Sequence, residues 1–299
     1  MAELVDALDS KSSSARSAGS IPARGTITFA KVDGRPKIFT DAKLKIKRAR
    51  MHISELDGIL ASFLQRRPYK VVIEDDADPK FSVIRCEFLE NIPELTPAVF
   101  GDAVHNLRSA LDHVACDLVA RNGKTVKRVS FPIVQPRENM DAKIKEAKFM
   151  FASDSNIGAV KSVIYDNWGL AKLHELDIHD KHRSVLLTGL VSTGQGCSVT
   201  SHGGTLTLIP RAGDSVIDGT RQLISRVALT DHDVYLPCDI ALTEEFGLNG
   251  VGISNWLGQI SSYVERLVDA FERFNSDGGE FDAPNPVKKT IRLGPILVA

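Results

Sequence analysis

"TPAVFGDAVHNLRSALDHVACDLVARNG", residues 96–123, is the stretch that decides the fold. Phe100, Val104, Leu107, Leu111, Val114 and Leu118 recur at alternating steps of three and four, which places them on one stripe of an α-helix. Thr96-Pro97 offers an N-cap oxygen followed by proline at the first helical position, and Asn122-Gly123 offers a stop. The pattern predicts a long, largely buried helix. Yet it carries His105, Asn106, Arg108, Asp112 and His113. At about 100° per residue, His105, Arg108 and Asp112 share one flank of the wheel, while Asn106 and His113 lie on the other. Arg108 can therefore pair with Asp112 one turn along.

A second polar cluster, "LHELDIHDKHR" at residues 173–183, supplies the expected partner. Its apolar positions Leu173 and Leu176 continue at the same spacing into Asp180 and Arg183. A carboxylate that continues a buried stripe needs a cation, because a buried unpaired charge costs several kcal/mol. Arg108 is the expected partner of Asp180, since a guanidinium fork binds a carboxylate at two points. The candidate functional centre is thus His105, Arg108, Asp112, His113, Asp180 and His182. The competing reading is a satisfied polar network that only sets helix register.

Outward from these clusters the chain alternates helical and strand patterns. Ile46, Ala49, Ile53, Leu56, Leu60 and Phe63 predict a helix over 41–65, with Thr40 or Asp41 as cap and Pro68 beyond its end. Its lysines and arginines, Lys43, Lys45, Lys47, Arg48 and Arg50, form a basic face expected to be solvated. "YKVVIEDDADPKFSVIRCEF" predicts a β-hairpin, and "VSFPIV" a short strand or an extended connection. Helices are expected over 139–152, 157–183 and about 254–274. Between Ser184 and the last helix, short strands split by Gly, Asp and Pro predict a β-rich insertion. The expected fold is α+β, with a helical bundle core, a β-hairpin after the first helix and a β-rich insertion before the last. It would comprise one domain over 27–274, with a polar tail at 275–299.

Composition narrows the function classes. Lys plus Arg total 37 against 38 Asp plus Glu, so no strong overall field recruits nucleic acid or an anionic membrane. No apolar run approaches the roughly 18 residues of a membrane span. Cys86, Cys116, Cys197 and Cys238 form no CxxC pair, which predicts reduced thiols in a cytoplasmic protein rather than a zinc ribbon. "STGQGCSVTSHGGTL" lacks the P-loop lysine and is expected to form a hairpin turn. Cys116 lies beside His113, but buried helix cysteines are usually inert. No cofactor or metal is called for by the candidate centre, and no signal peptide opens the chain.

Residues 1–26 have no apolar period and are expected to be a disordered leader outside the fold. They resemble a transfer-RNA gene translated in frame. Gly19-Ser20-Ile21-Pro22 fits the T-arm GGT-TCG-ATT-CCN, Gly25-Thr26 an acceptor-stem GGC-ACC, Met1 to Val5 a D-arm, and Leu8 to Ser13 an anticodon stem-loop. Such genes are insertion points for prophages and genomic islands, which implies a mobile-element origin.

"GDAVHNLRSALDH", "FPI" and "LHELDxxDKHR" together resemble a pattern found in bacterial and phage proteins with no assigned activity, over roughly residues 42–274. Arg108, four residues, then His113 is also similar to the HEPN group of helical RNases and nucleotide-binding modules. That resemblance implies metal-independent RNA or nucleotide phosphoester chemistry, with the arginine on phosphate and the histidine moving a proton. Ser109 stands where Asn, Asp or His is more usual after that arginine. Arg108 and His113 point about 140° apart on a regular helix, so they meet only if the helix bends or a homodimer completes the site. A weaker likeness, to HD-type phosphohydrolases, implies a divalent metal on His174, the pair His179-Asp180 and a distant Asp, which activates water. The remaining reading is a non-catalytic interaction or scaffold protein with a structural polar core.

Overall fold

The computed structural model describes residues 31–32, 35–36, 38–75, 77, 82–135, 138–165, 167–182, 187–191, 197–201, 204–208, 217–218, 221–227, 233–235, 238–242 and 251–287. The leader expected at 1–26 lies outside them. The chain divides after Lys37. In the first unit the described elements are β1 (Lys31–Val32) and β2 (Arg35–Pro36), paired antiparallel.

The second unit has a helical core. α1 (Thr40–Gln65) and α2 (Leu95–Arg121) pack along each other, and α2 also carries the later helices. After α3 (Met140–Glu146) and α4 (Asp154–Ile164), α5 (Trp168–His182) lies on α2. α6 (Ile253–Asp277) lies on both α1 and α2. The predicted stripe of α2 is fully buried from Phe100 to Leu118, against Leu56, Phe63, Tyr263 and Phe271. At roughly 1.5–3 kcal/mol per fully buried large side chain, this seam is the main source of stability. The seam continues past α6: Phe281 stacks on Phe271 with centroids 4.7 Å apart, and Val287 packs on Gly169. Among the described residues no helix is long and apolar enough to cross a membrane.

Strands accompany these helices. β3 (Tyr69–Asp75) pairs antiparallel with β4 (Ser82–Phe88), Tyr69 opposite Phe88. The later strands are β5 (Leu187–Val191), β6 (Cys197–Ser201), β7 (Gly204–Leu208), β8 (Ile217–Asp218), β9 (Arg221–Val227), β10 (Asp233–Tyr235) and β11 (Cys238–Leu242). β9 joins β4 and β8 in the order β3-β4-β9-β8, β10-β6-β7 form a second sheet, and β5 pairs with β11.

Several local expectations are corrected. α1 is not capped by Thr40 or Asp41. Its N-cap is Phe39, fully buried and left-handed at φ 58°, and the Phe39 N–H donates to Asp117 Oδ2 of α2 at 3.1 Å. The cap comes from tertiary structure, so no local motif announces it. Burial pushes the Asp117 carboxyl above its ordinary value, and the Phe39 N–H only partly offsets this. Thr96 does not cap α2 either: the helix opens at Leu95, and the fully buried Thr96 Oγ1 has no hydrogen-bond partner. The helix expected over 139–152 ends at Glu146, because Lys148 adopts φ 55°.

The helix expected over 157–183 is two helices. They are spliced by buried Asn167, whose Oδ1 accepts from the Leu170 N–H while its Nδ2 donates to Val163 O and the Tyr263 hydroxyl. The basic face of α1 is partly tied down. Lys43 pairs with Asp269 and Glu272, and Arg50 with Glu265, all on α6.

Candidate functional site

The three sequence motifs meet at one node. Arg108 projects from the α2 flank into the α2–α5 seam, with only 7% of its side chain exposed. Its Nη1 donates to Asp112 Oδ1 at 2.6 Å, one turn along, the pairing expected from the wheel. Its Nη2 donates to the Phe131 carbonyl at 3.0 Å. The Phe131 N–H donates to Asp112 Oδ1 at 2.8 Å, so the Arg108–Asp112 pair holds both polar groups of one peptide residue. This holds the extended "FPI" connection at Phe131, whose N–H and carbonyl are both satisfied by side chains of α2. Phe131 in turn inserts against Phe149 and Phe271.

The third contact of Arg108 is Nε to His174 Nδ1 of α5, at 3.4 Å. Burial, and then the Arg108 charge, hold the His174 imidazole below its ordinary pKa. A neutral ring accepts from Arg108, whereas a protonated one would repel it.

Asp180 is not the partner of Arg108. It sits further along α5, against Gly101 of α2, where an added Cβ would overlap its carboxylate. Burial, then Asp102 and Asp177, raise its pKa. The reason is geometric. The helices cross so that Arg108 meets α5 at His174, near its middle, and the missing side chain of Gly101 makes room for the Asp180 carboxylate near its C-terminal end. The buried carboxylate that needed a partner is Asp177, with 4% of its side chain exposed, and it takes His105: Nδ1 lies 2.9 Å from Asp177 Oδ1. Asp177 is four residues beyond Leu173 and so shares its face, a signal available in the sequence.

His105 is 47% exposed at its side chain, and its Nε2 lies 3.4 Å from Ser109 Oγ. His113 is half-buried on another flank, where its charge acts on Asp117. Arg108 and His113 are therefore not brought together, since every described contact of Arg108 is in the α2–α5 seam. His182 ends α5, and its side chain lies outside the described residues. Burial, then the Asp112 and Asp117 charges, raise the Cys116 thiol pKa.

A cleft of about 740 Å³ opens beside the node, with Gln135, Glu138, Tyr165, Trp168, Lys172 and Glu175 among its walls. Its described charges are engaged locally: Lys172 pairs with Glu175 at 2.6 Å, and Glu138 accepts from the Gln135 N–H at 2.8 Å and pairs with Lys143. Among the described residues, no group of three or more His, Cys, Asp or Glu is arranged to hold a metal ion. His174 is turned to Arg108 and Asp180 to Gly101. No protein-family model, curated protein or solved structure matches this chain.

Proposed function

We propose that the Arg108–Asp112–Phe131 node serves the fold and that the protein acts as an interaction or scaffold protein. One observation carries this reading: the Arg108 guanidinium is buried and engaged by a carboxylate, a carbonyl and an imidazole. An arginine that neutralises phosphate in a reaction must be free to reach it. The fold is read as α+β, with the hairpin and the β-rich insertion appended to the helical core, and the β3–β4 pairing supports this. The setting is a cytoplasmic accessory protein of a prophage or other mobile element, supported by the transfer-RNA-gene likeness of residues 1–26.

A second reading, metal-independent HEPN-type chemistry on RNA or a nucleotide, is favoured by the exposed His105 ring oriented on Asp177, which can move protons without a metal. It would need a homodimer or an Arg108 released from its three partners. The HD-type reading would need His174 and Asp180 to leave their present contacts.

Mixed RNA offered to chelator-treated protein separates these readings. The scaffold reading expects no cleavage by the parent or by folded His105→Ala and His113→Ala variants. Metal-free cleavage that disappears in either folded variant would overturn it in favour of the RNA reading.

A further inference from the structure

Outside the Arg108 node, α2 and α5 assemble a hydroxyl, an imidazole and a carboxylate in line. Ser109 Oγ is 3.4 Å from His105 Nε2, and His105 Nδ1 is 2.9 Å from Asp177 Oδ1. Two of the three sit at i, i+4 on the regular helix α2, so their spacing is fixed by helix geometry. The third is buried on α5. The buried carboxylate selects the tautomer in which Nδ1–H donates to Asp177 and Nε2 is left as an acceptor facing the serine hydroxyl. None of the Arg108 contacts involves these three groups.

We infer that Ser109 is an activated nucleophile, with His105 as its general base and Asp177 as the positioning residue, able to accept an acyl group from a small activated ester. The inference goes beyond the scaffold reading and does not depend on it. In the acylation step Ser109 Oγ bonds to the carbonyl carbon and its proton passes to His105 Nε2. The carbon–oxygen bond to the leaving group then breaks, and that oxygen takes the proton back from His105. Water hydrolyses the acyl-serine by the same path, releasing the carboxylic acid and restoring the hydroxyl. No oxidant or reductant enters.

Two features set the substrate class. Ser109 lies mid-helix, so its backbone N–H is engaged within α2 and offers no donor to a developing oxyanion. Such donors are worth about 10²–10³ in rate. Only esters with good leaving groups are therefore expected to react, and amides are not. Asp177 holds the imidazole and the Asp180 carboxylate interacts with it through charge, which favours neutral or cationic esters over anionic ones.

The full chain would be treated with a fluorophosphonate probe and, separately, with p-nitrophenyl acetate. Modification would be located by intact mass and peptide mapping. A single adduct at Ser109 is expected, absent in Ser109→Ala and formed at least about 100-fold more slowly in His105→Ala. His105→Ala takes a partner from the buried Asp177 carboxylate, so its fold is verified by circular dichroism and its rate is compared at matched stability; His105→Gln, which keeps a side-chain donor for Asp177 but supplies no base, should label as slowly. Asp177→Glu should retain more labelling than Asp177→Asn at matched stability, because only a carboxylate holds the reactive tautomer. Labelling scattered over other serines, unchanged in folded His105→Ala, or absent from the folded parent would overturn the inference. Any of these outcomes can be reached whether or not RNA is cleaved.

Discussion

Arg108→Ala is the perturbation that most directly tests the node. The substitution leaves the Phe131 carbonyl without its donor, and Phe131 is 1% exposed. A buried acceptor left unpaired costs about 1–3 kcal/mol. It also strips Asp112 of its cation. Stranding a fully buried carboxylate costs about 3–5 kcal/mol, but the Asp112 side chain is 38% exposed and keeps the Phe131 N–H, so only a minor part of that applies. Together these losses amount to about 3 kcal/mol. A domain of this size loses about 2–4 °C in Tm per kcal/mol, which predicts a fall of about 6–12 °C, against a total stability of about 5–15 kcal/mol. Arg108→Lys should lie between parent and Ala, since an ammonium keeps the charge but cannot bind the carboxylate and the carbonyl as a fork. Thermal and urea unfolding followed by circular dichroism measure both. A shift under about 2 °C for Arg108→Ala would show that the node does not hold the "FPI" connection and would remove the main support for the scaffold reading.

Three further tests follow from single contacts. Gly101→Ala puts a methyl group into the Asp180 carboxylate and should cost about 1–3 kcal/mol; the double variant with Asp180→Ala should recover most of this, and additive losses in a double-mutant cycle would refute the close approach. His174 has a lowered folded-state pKa, so its contribution is present above the ordinary imidazole value of about 6.5 and lost as pH falls through the lower folded value. The urea midpoint should drop with acid in that window, and His174→Gln should flatten the drop; an identical pH dependence would count against the Arg108–His174 contact. Burial pushes the Tyr263 hydroxyl up to about 12, so its contribution is present below the unfolded value and lost as pH rises through the folded one. Absorbance at alkaline pH should show one tyrosine ionising near 12 that is missing in Tyr263→Phe, and a parent without such a step would refute the buried Asn167–Tyr263 bond.

Local periodicity was enough to reveal the helical core. The stripes of α1, α2 and α6 are cut by a 3.6-residue repeat that any buried helix must show, and the Arg108–Asp112 pair follows from one helix's own geometry. The sequence also showed that a buried carboxylate in residues 173–183 would need a cation on α2. The pairing it pointed to, Asp180 with Arg108, does not form, because Asp177 also continues the Leu173 face, and choosing between the two carboxylates takes the crossing of two helices. Gly101 decided it: where a side chain is missing, Asp180 fits against the backbone, and His105 is left to Asp177. The cap of α1 from Asp117, the splice at Asn167 and the clamp on Phe131 join residues far apart in the chain. Each satisfies a backbone or buried polar group that its own segment leaves open, so only the assembled tertiary structure could name the partner.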